Sequence, residues 1–224
     1  MFQRRKTAHA AALMIFLQAP ASIAVAQSVS MTAIELKEKA RALLDLERGN
    51  KSYEIALYAS DEKSPITDDG SCRGSGGPKE DHSGSYELVT LLDDKLLART
   101  SLRKDFRFRE GSAYEGASVV NLEKPNESLV MITQYGGCMN NHFHLYRMNR
   151  GGNFQVVNFI VKKARTDSMY ANNLEVVGDK VVVYFYSPSD RPADPEGSRR
   201  EFYRFDGRNL ILSKTELGLG EENE

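Results

Sequence analysis

The apolar and polar positions of the chain follow two periods in turn. Leu36, Ala40, Leu43 and Leu44 recur at helical spacing between the polar Lys37, Glu38, Arg41 and Glu47. Thr32-Ala-Ile-Glu35 just before them fits a capping box, in which a hydroxyl and a carboxylate satisfy orphan N–H groups reciprocally. Gly49 is a natural stop, so the spacing predicts one N-terminal helix within residues 27–50.

Beyond it the period becomes two. Tyr53, Ile55 and Leu57 alternate with Ser52, Glu54 and Ala56, and Phe106 and Phe108 alternate with Arg107 and Arg109. Val181 to Tyr186 is a continuous β-branched and aromatic run that suits a strand buried on both faces. Further strands are predicted near 86–92, 95–100, 117–122, 128–134, 142–148, 153–161, 173–177, 200–205 and 208–214, with Asp93-Asp94, Gly178-Asp179 and Asp206-Gly207 as hairpin turns. Residues 144–154, His-Leu-Tyr-Arg-Met-Asn-Arg-Gly-Gly-Asn-Phe, also echo Glu-Phe-Tyr-Arg-Phe-Asp-Gly-Arg-Asn-Leu at 201–210. The expectation is a mainly β fold, an antiparallel β-sandwich or open barrel built from hairpins, with residues 51–224 as one domain.

Two segments lack any period: 59–85, rich in Gly and Ser, and 187–200, which holds Pro188, Pro192 and Pro195. Both are expected to be long surface loops, and such loops serve binding or are simply solvated.

The start of the chain reads as a targeting segment. Arg4, Arg5 and Lys6 precede an apolar run from Ala10 to Leu17, and Ala24-Val25-Ala26 is a small-x-small cleavage site. Residues 1–26 are therefore expected to be a signal peptide that sends the protein to the periplasm or outside the cell. No membrane span is expected after cleavage, because the apolar run is too short to cross a bilayer. Cleavage removes three basic and no acidic side chains and leaves a formal charge of −4. Nucleic acid is then a poor partner, since phosphate neutralisation needs a basic surface.

In an oxidising compartment the two cysteines, Cys72 and Cys138, are expected to form a disulfide. Closing so long a loop stabilises by about 4 kcal/mol in the chain-entropy model. It would also pin the middle of the 59–85 loop to the body, which makes Arg73, Lys79, Glu80, Asp81 and His82, with Asn140 and Asn141 beside the second cysteine, the candidate binding residues. His142 and His144 share a strand face about 7 Å apart along it. With His82 as third ligand they are the candidate zinc site; otherwise no cofactor is expected. Arg99, Arg103, Lys104, Arg107 and Arg109, with Arg147, Arg150, Arg199, Arg200 and Arg204, offer a basic strand face for a glycan or an acidic protein.

No nucleophile elbow, His-Glu-x-x-His or calcium-loop pattern occurs. The expected function is that of a non-enzymatic envelope binding protein, such as an inhibitor or an immunity protein that neutralises a toxin or enzyme through the stapled loop. The alternatives are a hydrolase or metal-dependent enzyme centred on His142 and His144, and a glycan-binding envelope component.

Overall fold

The computed structural model describes residues 31–62, 66–67, 80–102, 106–109, 116–123, 127–135, 140–185 and 198–218. The chain divides into two units, Met1–Ser30 and Met31–Glu224, and the second holds every described residue. It is nearly all β, with antiparallel sheets and one short helix.

The helix α1 spans Ala33–Glu38 and carries the predicted capping box: Glu35 N–H donates to Thr32 Oγ1 at 3.2 Å, and Thr32 N–H donates to Glu35 Oε2 at 2.8 Å. The predicted continuation to Gly49 is corrected. Ala40–Arg48 is strand β1, paired antiparallel with β2 (Lys51–Glu62). Inward positions are Ala42, Leu44 and Leu46, a period of two, whereas Leu43, which a helix would bury, is 51% exposed. Gly49 is not a helix stop. At φ +62° it takes the first central position of a two-residue hairpin turn with Asn50, where glycine costs nothing sterically.

In the first sheet, β4 (Glu80–Leu92) is the spine. One edge carries β2 and the short β3 (Ile66–Thr67), and the other carries β5 (Lys95–Ser101) and β6 (Phe106–Arg109). On its outer face α1 buries Leu36 against Ala56, Val89 and Leu91.

The second sheet has ten strands: β7 (Gly116–Leu122), β8 (Glu127–Tyr135), β9 (Asn141–Met148), β10 (Phe154–Val161), β11 (Ala164–Thr166), β12 (Met169–Ala171), β13 (Asn173–Val177), β14 (Lys180–Phe185), β15 (Arg199–Phe205) and β16 (Asn209–Leu217). Its path runs β13-β14-β15-β16-β10-β9-β8-β7 and curls into a near-barrel. The ends of the path approach each other where Glu123 N–H donates to the Gly178 carbonyl at 3.3 Å. β10 and β16 run parallel, an exception to the antiparallel pattern. β10 leaves β9 after Val157, and β12 takes its place beside Asn141 to Phe143.

β8 and β9 are shared walls. Leu129, Phe143 and Leu145 face the barrel interior with Phe159 and Tyr203. Val130, Ile132, Tyr146 and Met148 face the first sheet with Leu46, Ile55, Leu88 and Phe106. The two echoing segments repeat one burial pattern in different cores: Tyr146, Met148 and Phe154 fill the space between the layers, and Tyr203, Phe205 and Leu210 fill the barrel.

The predicted turns form. Asp93 and Asp94 both have positive φ, 50° and 57°, and Gly178 and Gly207 lie at 63° and 95°. The long loops are shorter than predicted. β2 continues to Glu62 and β4 begins at Glu80, so of 59–85 only 63–65 and 68–79 lie outside the described residues. Arg199 and Arg200 belong to β15, and 186–197 lie outside them.

The Asp206 turn makes stability sensitive to acid. Its Oδ1 accepts from the N–H groups of Asn209 at 2.6 Å and Arg208 at 2.8 Å, and these bonds, Asn209 first, hold the carboxyl below its ordinary range. A depressed folded value means that this contribution is complete at neutral pH and fades as pH falls through that value. Asp206→Asn is therefore expected to flatten the acid limb of the stability curve, measured as urea midpoints between about pH 2 and 5; an unchanged limb would assign the acid sensitivity elsewhere.

Candidate functional site: the loop end of the two layers

The strand ends sort into two groups. At one end lie the tight turns Gly49-Asn50, Asp93-Asp94, Asn149–Asn153, Gly178-Asp179 and Asp206–Arg208. At the other, connections leave Glu62, Arg109, Tyr135 and Phe185 and return at Glu80 (by way of β3), Gly116, Asn141 and Arg199; that from Tyr135 equals Asn149–Asn153 in length and the other three are longer.

The turn end is tied shut. Thr90, fully buried, donates from Oγ1 to the Gly152 carbonyl at 2.7 Å, and Phe154 N–H donates to Thr100 Oγ1 at 2.9 Å. Gly152, at φ +82°, allows the approach, because a Cβ there would stand 2.8 Å from Leu97 Cδ2. Arg48 donates to the Met148 carbonyl, and Arg147 pairs with Glu127 at 3.1 Å. An open cleft of about 370 Å³ beside this network is lined by Leu46, Arg48, Glu127, Ser128 and Met148. Its one guanidinium, that of Arg48, already faces Glu127 at 3.9 Å.

At the loop end the chemistry-bearing side chains face each other across the layers. His142 and His144 share one face of β9, with ring centroids 6.5 Å apart, as the strand spacing predicts. His144 is 2% exposed and packs on Phe106 at 4.9 Å, while His142 is half-buried beside Tyr170 at 4.7 Å. His82 lies on β4 opposite Phe108, on the face that Tyr86 and Leu88 turn toward the barrel. Arg41 sits 5.4 Å over the Phe108 ring. Among the described residues no three His, Cys, Asp or Glu side chains are gathered so as to hold a metal ion.

Of the other candidate binding residues, Asn140 and Asn141 are half-buried at the start of β9, with Asn141 opposite Tyr135 and Ala171. Glu80 and Asp81 open β4 opposite Thr67 and Ile66. Arg73 and Lys79, with the predicted Cys72–Cys138 disulfide, lie outside the described residues.

Sequence reasoning missed Phe106, Phe108 and Tyr170 as neighbours of the histidines, and Arg41 over the Phe108 ring. The Phe-Arg-Phe-Arg alternation was visible, but its partner strand was not. It also missed a polar row on the inner face of β15: Arg199 Nε donates to Glu201 Oε1 at 3.1 Å, and Tyr203 donates to Glu201 Oε2 at 2.5 Å. Burial first, and then the Glu201 bond, pushes the Tyr203 phenol well above its ordinary value.

Four of the ten cations of the predicted basic face are matched by carboxylates among the described residues. Arg99 pairs with Glu87, Arg147 with Glu127, Arg199 with Glu201 and Arg200 with Glu216.

No described helix is long and apolar enough to cross a membrane. Comparison of the chain with protein-family models, with curated proteins and with solved structures finds no match.

Proposed function

We propose that this chain is a non-enzymatic binding protein of the cell envelope, exported by residues 1–26, which grips another protein with its loop end. An inhibitor or an immunity protein that neutralises a secreted toxin or enzyme fits this use. The observation that supports it is the asymmetry of the two layers: one end is closed by turns of at most five residues and cross-layer hydrogen bonds, and the three longest connections, from Glu62, Arg109 and Phe185, leave from the other. Rigid scaffolds that recognise partners place their variable loops in this manner. A Cys72–Cys138 disulfide would join two of the connections at that end and lower the entropy lost on binding.

The test is a native pull-down from envelope and secreted fractions with the tagged processed protein, beside Cys72→Ser and a variant with residues 73–82 replaced by a Gly/Ser segment. One stoichiometric protein partner, lost with both variants, is expected. His142→Ala is expected to retain it, and His144 is the wrong control because its ring belongs to the packed core. No stoichiometric partner, or one retained by both loop variants, would contradict the proposal; metal bound to the purified protein and lost in His142→Ala would favour the enzyme alternative.

A further inference from the structure

The outer face of the barrel carries a row of residues fixed by register. Val177 stands opposite Lys180, Lys180 opposite Arg204, Arg204 opposite Ile211, Ile211 opposite Ile160, and Ile160 opposite Arg165. Their strand neighbours Val181, Tyr203, Leu210 and Phe159 point inward, so the row points out. Lys180 and Arg204 are exposed, and on either side of the pair Ile211 is 43% and Val177 55% exposed. Of the outward positions on this wall Val182 and Asn158 are buried, while the row from Val177 through Lys180 and Arg204 to Ile211 stays exposed.

Two features separate this row from the rest of the surface. Like charges directly opposite on neighbouring strands are destabilising, yet Lys180 and Arg204 are held in that relation. Nor does either cation make an ion pair among the described residues, although the next outward positions on β15 and β16 are matched: Arg200 and Lys214 both pair with Glu216 and flank the Phe202 ring.

The opposite surface of the molecule carries the complement. On the outer face of β1, beyond the cover of α1, Leu43, Asp45 and Glu47 are exposed, and Asp45 stands opposite Glu54. Lys37 bridges Glu54 to Asp94, while Asp45 and Glu47 make no ion pair among the described residues. One face thus sets exposed cations beside Ile211 and Val177, and the other sets exposed carboxylates beside a 51% exposed Leu43.

We propose that these faces dock on each other between copies: the Lys180–Arg204 face of one chain receives the Leu43–Asp45–Glu47 face of a second. Because the faces differ and lie on opposite sides, the contact is heterologous, and association continues head to tail unless the rotation closes a ring. The contact is independent of the loop end, which stays open to another partner.

Sedimentation velocity on the processed protein tests this. At low ionic strength the weight-average sedimentation coefficient is expected to rise with concentration and to fall back to the monomer value in about 0.5 M salt, where the Debye length is down to about 4 Å. Two double variants, Lys180→Glu with Arg204→Glu and Asp45→Lys with Glu47→Lys, are each expected to remain folded by circular dichroism and monomeric alone. Mixed in equal amounts, they offer one intact face of each kind, and their two reversed faces are complementary to each other as well, so the mixture is expected to recover the head-to-tail association that each variant alone has lost. The milder Arg204→Gln and Asp45→Asn serve if a charge reversal unfolds the chain. A wild type that is monomeric at low salt, association that both variants preserve, or a mixture that stays monomeric while the wild type associates would each overturn the proposal. A monomeric wild type whose Lys180–Arg204 face proves necessary for the pull-down partner would assign that face to the partner instead.

Discussion

Phe106→Ala is expected to lower the free energy of unfolding by about 3–5 kcal/mol, the range for removing a fully buried aromatic ring. Phe106 is 0% exposed and stands where the two layers meet, with the rings of His144 at 4.9 Å, Phe108 at 6.0 Å and Tyr86 at 6.4 Å. Those neighbours are themselves held by strands on both layers, so the cavity cannot close by the movement of one side chain. Urea unfolding followed by circular dichroism measures the loss as a lower midpoint at unchanged slope. A loss below about 1 kcal/mol would mean that the first sheet is not packed on β8 and β9 in solution.

Phe159→Ala is expected to cost a similar amount, about 3–5 kcal/mol, from the other side of the shared wall. Phe159 is buried in the barrel, edge-on to Tyr203 with ring centroids 5.3 Å apart, and Tyr203 is anchored by its hydrogen bond to Glu201. Each core alone contains residues of β8 and β9, so neither can melt while the other keeps its walls. Both variants are therefore expected to shift one common transition. Two transitions, one sensitive only to position 106 and the other only to position 159, would show that the layers unfold independently and would remove the rigid support on which the loop end depends.

The alternating strands were legible because a half-buried strand writes its two faces into the sequence. Tyr53-x-Ile55-x-Leu57 and Phe106-x-Phe108 point the way the alternation predicts. The β1 strand was missed through an ambiguity of short apolar runs: Ala40, Leu43 and Leu44 satisfy a helix, while Ala42, Leu44 and Leu46 satisfy a strand. The decisive signal was further along, in Gly49-Asn50 set between two alternating runs, a hairpin signature. Strands β11 and β12 were missed because three-residue edge strands carry too little pattern, and the turn between β10 and β11 places Lys162 and Lys163 at φ 47° and 76° without any turn-forming residue. The pairing of β10 with β16 joins residues about fifty positions apart, which no local period encodes. At the candidate site the spacing of His142 and His144 was legible, but the burial of His144 was not, because Phe106 reaches it from the other layer.

Hydrogen exchange on the protein with its captured partner tests the central claim most directly. If the loop end is the binding surface, partner-dependent protection concentrates in segments 60–84, 106–116 and 133–143, which flank the connections at that end, and segments 46–51, 92–97 and 149–153 at the turn end exchange as in the isolated protein. Protection centred on the turn end, with the loop end unchanged, would contradict the account.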